Sequence, residues 1–464
     1  AFAALEEIHV GAGNEYFAEE NNILLNKSKT KALYAPKNMK GELVIPDGVV
    51  EICDEAFRRM NYITGVRVPK SLKYVGSKGF SSVNVGKVFI EDLLAFIDID
   101  FNNCSFFSDY GASLYLNNEL VTELVIPEGV TEIKDYTFSG LLSVKQVYFP
   151  STLKHVGFLS FIAELEYFDY EEVHVTGIAD LCAIKFDTMY SNPLFLAEKL
   201  FVDGEYVSEL VIPENVTKIE SYSFCGGDFS SIEFGDGVTE LGEGSFFYCR
   251  KITSVVIGKN IEKIGKEAFS HCPKLEYIKF SDKMTKLEKD VIFNCKALNT
   301  IDFGNGVEKI DFSDMSYYQA EKVIIGSGVK EIRGLFHNSK ENNIREIHIT
   351  SIESWINVEH KDVGLQPLIY PDFYVNGQKI VDLVIPKNFT EIDDFLFANW
   401  NSLSTVTIGT EIKSIGKFAF YGCKNLTEVT YAGTKAQWND VIKSDRWVGD
   451  SVKIVHCSDG DVDL

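Results

Sequence analysis

A block of about 23 residues repeats along nearly the whole chain, and this repeat constrains the fold more than any other feature. In the clearest run, Cys249, Cys272 and Cys295 recur at intervals of 23 residues. Repeats of this length, with apolar residues at fixed offsets, are typical of a solenoid in which each repeat buries its apolar edge against its neighbours. The sequence therefore predicts a stack of similar coils.

Each regular repeat carries two short strand signals. In the repeat from Leu275 to Phe293, the alternation Ile278-Lys279-Phe280 predicts a first strand with one buried face. A Pro, Gly or Ser then ends the strand, because Pro lacks an N–H donor and Gly permits a sharp corner. A second short strand follows, as at Val307 to Ile310. After it we expect a helical turn whose Phe, such as Phe269, fills the core.

Four repeats are longer, and three of them share an apolar turn, a polar loop and a hairpin signal. The longer repeats run from Gly11 to Pro46, Glu91 to Pro127, Thr176 to Pro213 and Thr350 to Pro386. The hairpin signals are the pairs Asn117-Asn118, Asp203-Gly204 and Asn376-Gly377. Such pairs tolerate positive φ and favour tight two-residue turns. The predicted fold class is thus a mainly β solenoid of regular repeats with interspersed hairpin-containing repeats.

The domain organisation follows from the uniformity of the repeats. No linker or low-complexity segment interrupts them, so we expect residues 1–464 to form a single solenoid domain. Leu5 and Ile8 match Leu275 and Ile278, which indicates a fragment of a longer chain. We expect residues 433–464 to be a C-terminal capping segment that ends in a frayed acidic tail, because the tail lacks the Gly and the distal Glu of a calcium loop.

Charge and motifs exclude several functions. The chain has 45 basic and 68 acidic residues, a net charge of −23, so its surface repels phosphate backbones and anionic lipid heads. No apolar run approaches the roughly 20 residues that span a bilayer. Motifs for zinc hydrolysis, nucleophilic serine, phosphate binding and redox cysteine pairs are missing from the sequence. We therefore expect no enzyme activity, no cofactor, no metal, no nucleic-acid partner and no membrane insertion.

The nine cysteines follow the repeat instead of forming a paired framework. Four of them occupy a position that Leu141 or Trp400 fills in other repeats, which predicts buried thiols; these four are Cys249, Cys272, Cys295 and Cys423. A disulfide between adjacent coils and a metal site are the less favoured alternatives.

The repeat motifs resemble a known family. VIPDGVVEICDEAF (44–57), VIPEGVTEI (125–133) and IGTEIKSIGKFAFYGCKNLTEV (408–429) look like the BspA-like leucine-rich repeats of surface proteins in bacteria and some protists. YAGTKAQWNDVI (431–442) and VHCSDG (455–460) resemble the ending often seen in that family. The resemblance implies an extracellular or cell-surface location, with adhesion or protein binding in some members. It carries no catalytic residues.

The candidate binding surface is the sheet of first strands, whose outward side chains form two columns. One column holds Gln146, Ser231, Ser254, Tyr277, Thr300, Lys322, Glu346, Thr405 and Glu428. The other holds Tyr148, Glu233, Val256, Lys279, Asp302, Ile324, His348, Thr407 and Thr430. Aligned polar and aromatic rows form an extended contact face of the kind that solenoids use for binding. We expect the contacts to a protein or peptide, with host extracellular proteins among the candidates, to come from Tyr148, Tyr277, Lys279, Ile324 and His348.

Two other functions remain open from the sequence. The hairpin loops carry aromatic residues that could bind a glycan if their rings lie flat and exposed beside amides; these are Tyr110, Tyr115, Tyr190, Tyr206, Tyr370 and Tyr374. A structural spacer for another domain is the third possibility, and it would show no affinity for either class of ligand.

Overall fold

The computed structural model describes residues 5–107, 111–162, 170–312, 320–334, 343–361 and 371–464. The chain divides into two compact units. The N-terminal unit comprises Ala1–Gly235 and Leu241–Arg250, and the C-terminal unit comprises Asp236–Glu240 and Lys251–Leu464. Both are β-solenoids built from short parallel strands with little helix, which confirms the predicted fold class.

First strands of successive repeats pair in parallel in the N-terminal unit. The first sheet consists of Gly41–Val44, Ile63–Arg67, Lys87–Ile90, Ser113–Leu116 and Glu119–Leu120. The second consists of Glu123–Val125, Gln146–Tyr148, Glu172–Val175, Lys199–Val202 and Glu205–Tyr206. A third contains only the pair Glu209–Ile212 and Ser231–Phe234. Its second strands are Lys31–Tyr34, Glu51–Ile52, Tyr74–Val75, Asp100–Phe101, Glu132–Ile133, His155–Val156, Lys185–Phe186 and Lys218–Ile219, and an antiparallel pair, Phe17–Glu20 and Ile23–Asn26, precedes them. The helices are Leu93–Ile97, Ile178–Cys182, Leu194–Ala197 and the 3₁₀ turn Met189–Ser191.

The C-terminal unit has a seven-stranded and a five-stranded sheet of first strands. The first contains Ser254–Val256, Tyr277–Lys279, Thr300–Asp302, Lys322–Ile325, Glu346–Ile349, Asp372–Val375 and Gln378–Lys379; the second contains Asp382–Val384, Thr405–Ile408, Glu428–Tyr431, Ile454–Cys457 and Gly460–Asp463. Its second strands are Lys263–Ile264, Lys309–Asp311, Glu331–Arg333, Glu359–Lys361, Glu391–Ile392, Ser414–Ile415 and Ile442–Lys443, and its helices are Ile352–Ile356 and Lys435–Asp440. The strand Glu240–Leu241 falls at the division between the units.

The core forms because every first strand turns one side chain inward at the same register. Ile278 pairs with Ile301, and Val323 pairs with Ile347, so apolar side chains stack from repeat to repeat. All four are fully buried. Burial of one such side chain contributes about 1.5–3 kcal/mol relative to exposure. The 23-residue period thus sets the register of the sheet.

Each regular repeat has three sides: the first strand, the second strand and a run of tight turns. The helical turn expected on this third side is therefore wrong in its local conformation. Glu267 and His271 adopt left-handed φ values of 59° and 60°. The N–H of Phe269 donates to Val291 O at 2.8 Å in the next repeat, whereas that of Ser270 donates to Glu267 O at 3.0 Å within the turn. Alternate N–H groups in the turns therefore donate hydrogen bonds to the next repeat. The Phe269 side chain fills the core, as predicted.

Short helices occupy this third side in the longer repeats. The helix Leu93–Ile97 begins at Asp92, whose carboxylate accepts a hydrogen bond from Ala95 N at 3.0 Å. The helix Ile352–Ile356 begins with a capping box between Ser351 and Ser354. Such caps satisfy N–H groups that a five-residue helix cannot satisfy internally. The helices therefore replace the tight turns as the third side of these repeats.

Hairpins end the parallel sheets at the predicted positions. Asn117 and Asn118 have φ values of 52° and 68°, and Asn376 and Gly377 have φ values of 50° and 76°. The last strand of each hairpin is antiparallel and lies at the edge of its sheet.

The C-terminal segment repeats this arrangement. The helix Lys435–Asp440 is followed by the strand Ile442–Lys443 and by a hairpin of Ile454–Cys457 and Gly460–Asp463. The acidic residues at the end therefore form an ordered strand, and the expectation of a frayed tail is wrong.

Candidate binding surface

The outward face of the seven-stranded sheet carries four of the five predicted binding residues. Tyr277 and Lys279 lie two residues apart on one strand, so both side chains leave the same face. Pairing then aligns one column along the sheet, as the repeat predicted: Val256, Lys279, Asp302, Ile324 and His348. The structure adds Tyr374, which pairs with His348, to the end of this column. We call this surface the seven-strand face. The fifth predicted residue, Tyr148, lies on a sheet of the N-terminal unit.

Asp302 links the two predicted residues of the strand Tyr277–Lys279. The hydroxyl of Tyr277 lies 3.5 Å from Asp302 Oδ2, and Lys279 Nζ lies 3.8 Å from the same oxygen. Burial, together with the nearby Asp302 carboxylate, raises the pKa of Tyr277, so the phenol stays protonated. Both side chains are half-buried. They thus present a fixed phenol oxygen, which can accept a hydrogen bond, and a fixed cation to a ligand.

His348 and Tyr374 form a stack at the other end of the same column. Their rings lie 4.4 Å apart with an angle of 3° between their planes. His348 Nε2 is 3.0 Å from Glu346 Oε2. Burial and the nearby carboxylates of Glu346 and Asp372 raise the pKa of Tyr374. The sequence analysis assigned His348 to the strand face and Tyr374 to the hairpin loops, but the structure places them in contact.

Ile324 lies between Asp302 and His348 in the column and is half-buried. At the start of the sheet, Val256 is 56% exposed. The column therefore alternates apolar, charged and aromatic groups over six neighbouring strands. This mixture is suited to a contact surface with an apolar centre and polar neighbours.

Tyr148 belongs to a separate stack in the N-terminal unit. Its ring lies 4.2 Å from His174, and His174 lies 4.8 Å from Phe201. His174 Nε2 is 3.0 Å from Glu172 Oε2, as His348 is from Glu346. Phe201 lies on the first strand of a hairpin and contacts Tyr206 on the second at 5.7 Å. The structure thus places Tyr148 at the end of a ring ladder that leads into a hairpin.

Ring stacks beside hairpins are the feature that the sequence analysis missed. The pairs are Phe89 with Tyr115, His174 with Phe201, and His348 with Tyr374. Their members lie 26 or 27 residues apart in the sequence, outside the regular 23-residue column. An aromatic or His residue followed by a ring at this longer interval, just before a turn pair, is the signal that could have revealed them.

The four hairpin tyrosines that the structure describes do not form the flat exposed surface that the glycan alternative required. Tyr115 and Tyr374 are half-buried in ring stacks, and Tyr190 packs edge-on against Phe195 at 6.0 Å. Tyr206 is 41% exposed. Tyr110 and Tyr370 lie outside the described residues. Of the four described rings, Tyr206 alone is exposed.

The repeat-spaced cysteines are buried thiols, as predicted. Cys249, Cys272 and Cys295 are fully buried, and Cys423 is 4% exposed. The Sγ of Cys295 donates to Phe269 O at 3.1 Å, and that of Cys423 donates to Phe397 O at 3.1 Å. Burial raises the pKa of Cys423 to about 12. All four thiols are hydrogen-bond donors in the core, and the neutral form that the raised pKa of Cys423 favours is a poor nucleophile.

The part of the chain that the structure describes holds neither a candidate metal site nor a candidate membrane span. No group of three or more His, Cys, Asp or Glu side chains there has the arrangement of a metal site. No helix among the same residues is long and apolar enough to cross a membrane.

The parallel ladders and the repeat together define a leucine-rich repeat solenoid. Residues 29–161, 108–178, 196–324 and 368–440 match the family described as BspA type leucine rich repeat region, in six copies. These ranges cover well over half of the chain, and the chain belongs to this family. No curated protein matches it.

Solved structures of bacterial leucine-rich repeat proteins are similar over nearly the whole chain. One from Bacteroides ovatus is 16% identical, with 95% of this chain and 98% of that chain covered and a TM-score of 0.41. One from Eubacterium ventriosum is 16% identical, with 97% and 98% covered and a TM-score of 0.33. A leucine rich cell surface protein from Faecalibacterium prausnitzii is 17% identical, with 93% and 99% covered and a TM-score of 0.25.

Proposed function

We propose that this chain is a non-enzymatic module, secreted or displayed at a cell surface, that binds a protein through the seven-strand face. The observation that carries the proposal is the column from Val256 to Tyr374, in which an exposed Val256 is followed by half-buried charged, apolar and aromatic side chains in register. Proteins of the leucine-rich repeat class generally bind other proteins.

The contacts within the column support a role in binding. Tyr277 and Lys279 share Asp302, and His348 is held by Glu346 and Tyr374. Side chains that are fixed before binding lose less conformational entropy when a partner docks. Aromatic residues within such a surface are where most of the binding energy is usually found.

The location is proposed from the family. The name of one similar solved structure describes a cell surface protein, and the sequence motifs resemble repeats of surface proteins. With a net charge of −23, the chain is suited to a partner that presents basic groups. Adhesion to a host extracellular protein is the specific form of this function that we favour.

A binding screen tests the proposal. The purified chain is presented to extracellular-matrix proteins and, separately, to plant and mucin glycans at two salt concentrations. We expect a protein to bind, and the double substitution Tyr277→Ala/Lys279→Ala to weaken that binding by about ten-fold or more. Binding should also weaken at high salt, because salt screens the attraction between the acidic surface and a basic partner.

The matched control is Thr405→Ala/Thr407→Ala, which changes the equivalent outward positions on a strand of the five-stranded sheet. It is expected to leave the affinity within about two-fold of that of the unchanged protein. Equal losses from both variants would place the contact elsewhere. No binding to any protein or glycan would favour a spacer.

A further inference from the structure

A groove of about 610 Å³ lies in the N-terminal unit, between two hairpin turns. Asn21 stands at one end, where its Nδ2 donates to Val44 O at 3.1 Å. Asn117 and Asn118 stand at the other, and Asn118 Oδ1 accepts a hydrogen bond from Arg67 Nη1 at 2.9 Å. The volume lies within the range of about 300–1,000 Å³ that is typical of ligand pockets.

The floor of the groove is rigid because it is made of neighbouring strands. Val44, Arg67 and Phe89 are paired in register on the strands Gly41–Val44, Ile63–Arg67 and Lys87–Ile90. The guanidinium of Arg67 lies over the Phe89 ring at 4.2 Å, and its Nε donates to Glu42 at 2.7 Å. The planar guanidinium is thus fixed in the groove, and it has N–H donors beyond the two used in these bonds.

The groove also holds polar groups that are available to a ligand. Among the residues that the structure describes, no partner is found for the side-chain amide of Asn117 or for the carboxylate of Asp47, and both line the groove. Asn118 uses its oxygen for Arg67, which leaves its Nδ2 as a donor. Amide, guanidinium and carboxylate groups together can both donate to and accept from one ligand.

The charges favour a neutral ligand. Arg67 is paired with Glu42, and Lys70 lies 3.5 Å from Glu91. The nearby carboxylates offset both positive charges, so the groove offers no excess positive charge to a phosphate or an anionic sugar, and the net charge of the chain opposes both.

An extended peptide fits the groove less well than a sugar. The strands Ile63–Arg67 and Lys87–Ile90 are paired on both sides. Gly41–Val44 is the edge strand, but the groove reaches only Val44 on it, and Val44 O accepts a hydrogen bond from Asn21 Nδ2 at 3.1 Å, so a peptide gains no strand pairing within the groove. A sugar offers hydroxyl groups, each of which both donates and accepts, and these match the amides of Asn117 and Asn118 and the carboxylate of Asp47.

We propose that this groove binds a neutral oligosaccharide through Asp47, Arg67, Asn117 and Asn118. This site lies in a different unit from the seven-strand face and takes a different class of ligand, so it does not depend on the proposed protein binding. It also differs from the exposed-ring site that the hairpin tyrosines were expected to form, because its contacts are hydrogen bonds from planar polar groups.

Calorimetric titration of the full chain with neutral tetrasaccharides tests the proposal, with α- and β-linked glucans, mannans, galactans and xylans as probes. We expect at least one to bind. The double substitution Asn117→Gly/Asn118→Gly should weaken binding by about ten-fold, since it removes two amides. Gly accepts the positive φ of both positions, so the hairpin is retained. Asp47→Ala should also weaken binding.

The control is Asn376→Gly, which makes the same change at a hairpin turn outside the groove. It should leave the affinity unchanged. The proposal is overturned if no neutral tetrasaccharide binds, if only anionic sugars or peptides bind, or if Asn376→Gly weakens binding as much as the double substitution.

Discussion

Regular repeats and hairpin repeats fill the third side of the coil in different ways. In a regular repeat, the N–H of Phe269 bonds to the next repeat, so the backbone ladder continues there as well as in the strands. In a hairpin repeat, the helix Leu93–Ile97 directs N–H bonds along itself, from Phe96 to Asp92 O and from Asp98 to Leu94 O. The helix therefore interrupts the ladder on this side.

Most of the sheets in the described part of the chain end where the ladder is interrupted. Four ladders of second strands terminate in hairpin repeats, at Asp100–Phe101, Lys185–Phe186, Glu359–Lys361 and Ile442–Lys443, and four first-strand sheets terminate in the hairpins themselves. The hairpin also brings a ring onto the outward face, where it stacks on the preceding repeat. The difference teaches that regular repeats extend the surface, whereas hairpin repeats end it and supply its aromatic groups.

Removal of the core aromatic residue should have the largest effect in both kinds of repeat. Phe269→Ala in a regular repeat is expected to cost about 3–5 kcal/mol because it leaves a cavity. Trp355→Ala in a hairpin repeat should cost more, since the Trp355 Nε1 also donates to Leu396 O at 2.8 Å. Chemical denaturation of the two variants measures the difference. A smaller loss for Trp355→Ala would show that the helix of the hairpin repeat is not anchored by its Trp.

Two glycine substitutions should distinguish the corners of regular repeats, which pack closely on the preceding repeat, from the hairpin turns, which do not. An Ala Cβ at Gly326 would overlap the carbonyl oxygen of Gly304 in the preceding repeat, so Gly326→Ala should cost about 2–3 kcal/mol. At Gly377 the φ is +76° but the added Cβ would have no neighbour within 4 Å. Gly377→Ala should therefore cost only about 1 kcal/mol of left-handed strain. Equal losses of stability in thermal unfolding would contradict the conclusion that the corners of regular repeats pack more closely than the hairpin turns.

The inward histidine of a hairpin repeat should make stability depend on pH. His360 pairs with Ile332 at the inward position of the second strands. Burial lowers the pKa of His360 to about 4, from the usual histidine value of about 6.5. The unfolded chain therefore binds the proton first, and stability should fall by up to about 1.4 kcal/mol per pH unit as the pH drops from 6.5 towards 4.

His360→Leu, which restores the apolar character of this position, tests that dependence. Urea denaturation at several pH values should show a shallower decline for the variant than for the unchanged chain between pH 6.5 and 4. Parallel declines would mean that other groups, such as carboxylates, account for the acid sensitivity.

An outward histidine should have a smaller effect of opposite sign. His155 lies 3.0 Å from Glu132 Oε1 and 3.1 Å from Asp187 Oδ1. Burial opposes its charge, but the hydrogen bonds to Asp187 and Glu132 outweigh this and raise its pKa. Its stabilisation is present in full below pH 6.5 and is lost as the pH rises through the raised pKa. His155→Gln should lower stability at pH 6 by less than about 1 kcal/mol and have less effect at pH 9.

Much of the fold could be predicted because the 23-residue period fixes which side chains align. The column from Lys279 to His348 follows from that period, and the pairing confirms it. The left-handed turns at Glu267 and His271 could not be predicted, since neither residue type marks a positive φ in a sequence.

Less of the candidate sites could be predicted, because hairpin repeats change the interval between aligned residues. The pairing of His348 with Tyr374 spans 26 residues and escapes a search at 23. The C-terminal hairpin was missed for a different reason: its Asp459-Gly460 pair is displaced by one residue from the two-residue turn, which is Ser458-Asp459. The signal that could have revealed this hairpin repeat is Trp438. It is buried in the helix Lys435–Asp440, as Trp355 is in the helix Ile352–Ile356.

Hydrogen exchange with and without the bound protein partner tests the central claim, that the seven-strand face is the contact surface. The account predicts that exchange slows in the strands from Tyr277–Lys279 to Asp372–Val375 and changes little in the tight turns on the third side, such as residues 267–271. Slower exchange confined to the turns, or spread over the five-stranded sheet instead, would contradict it.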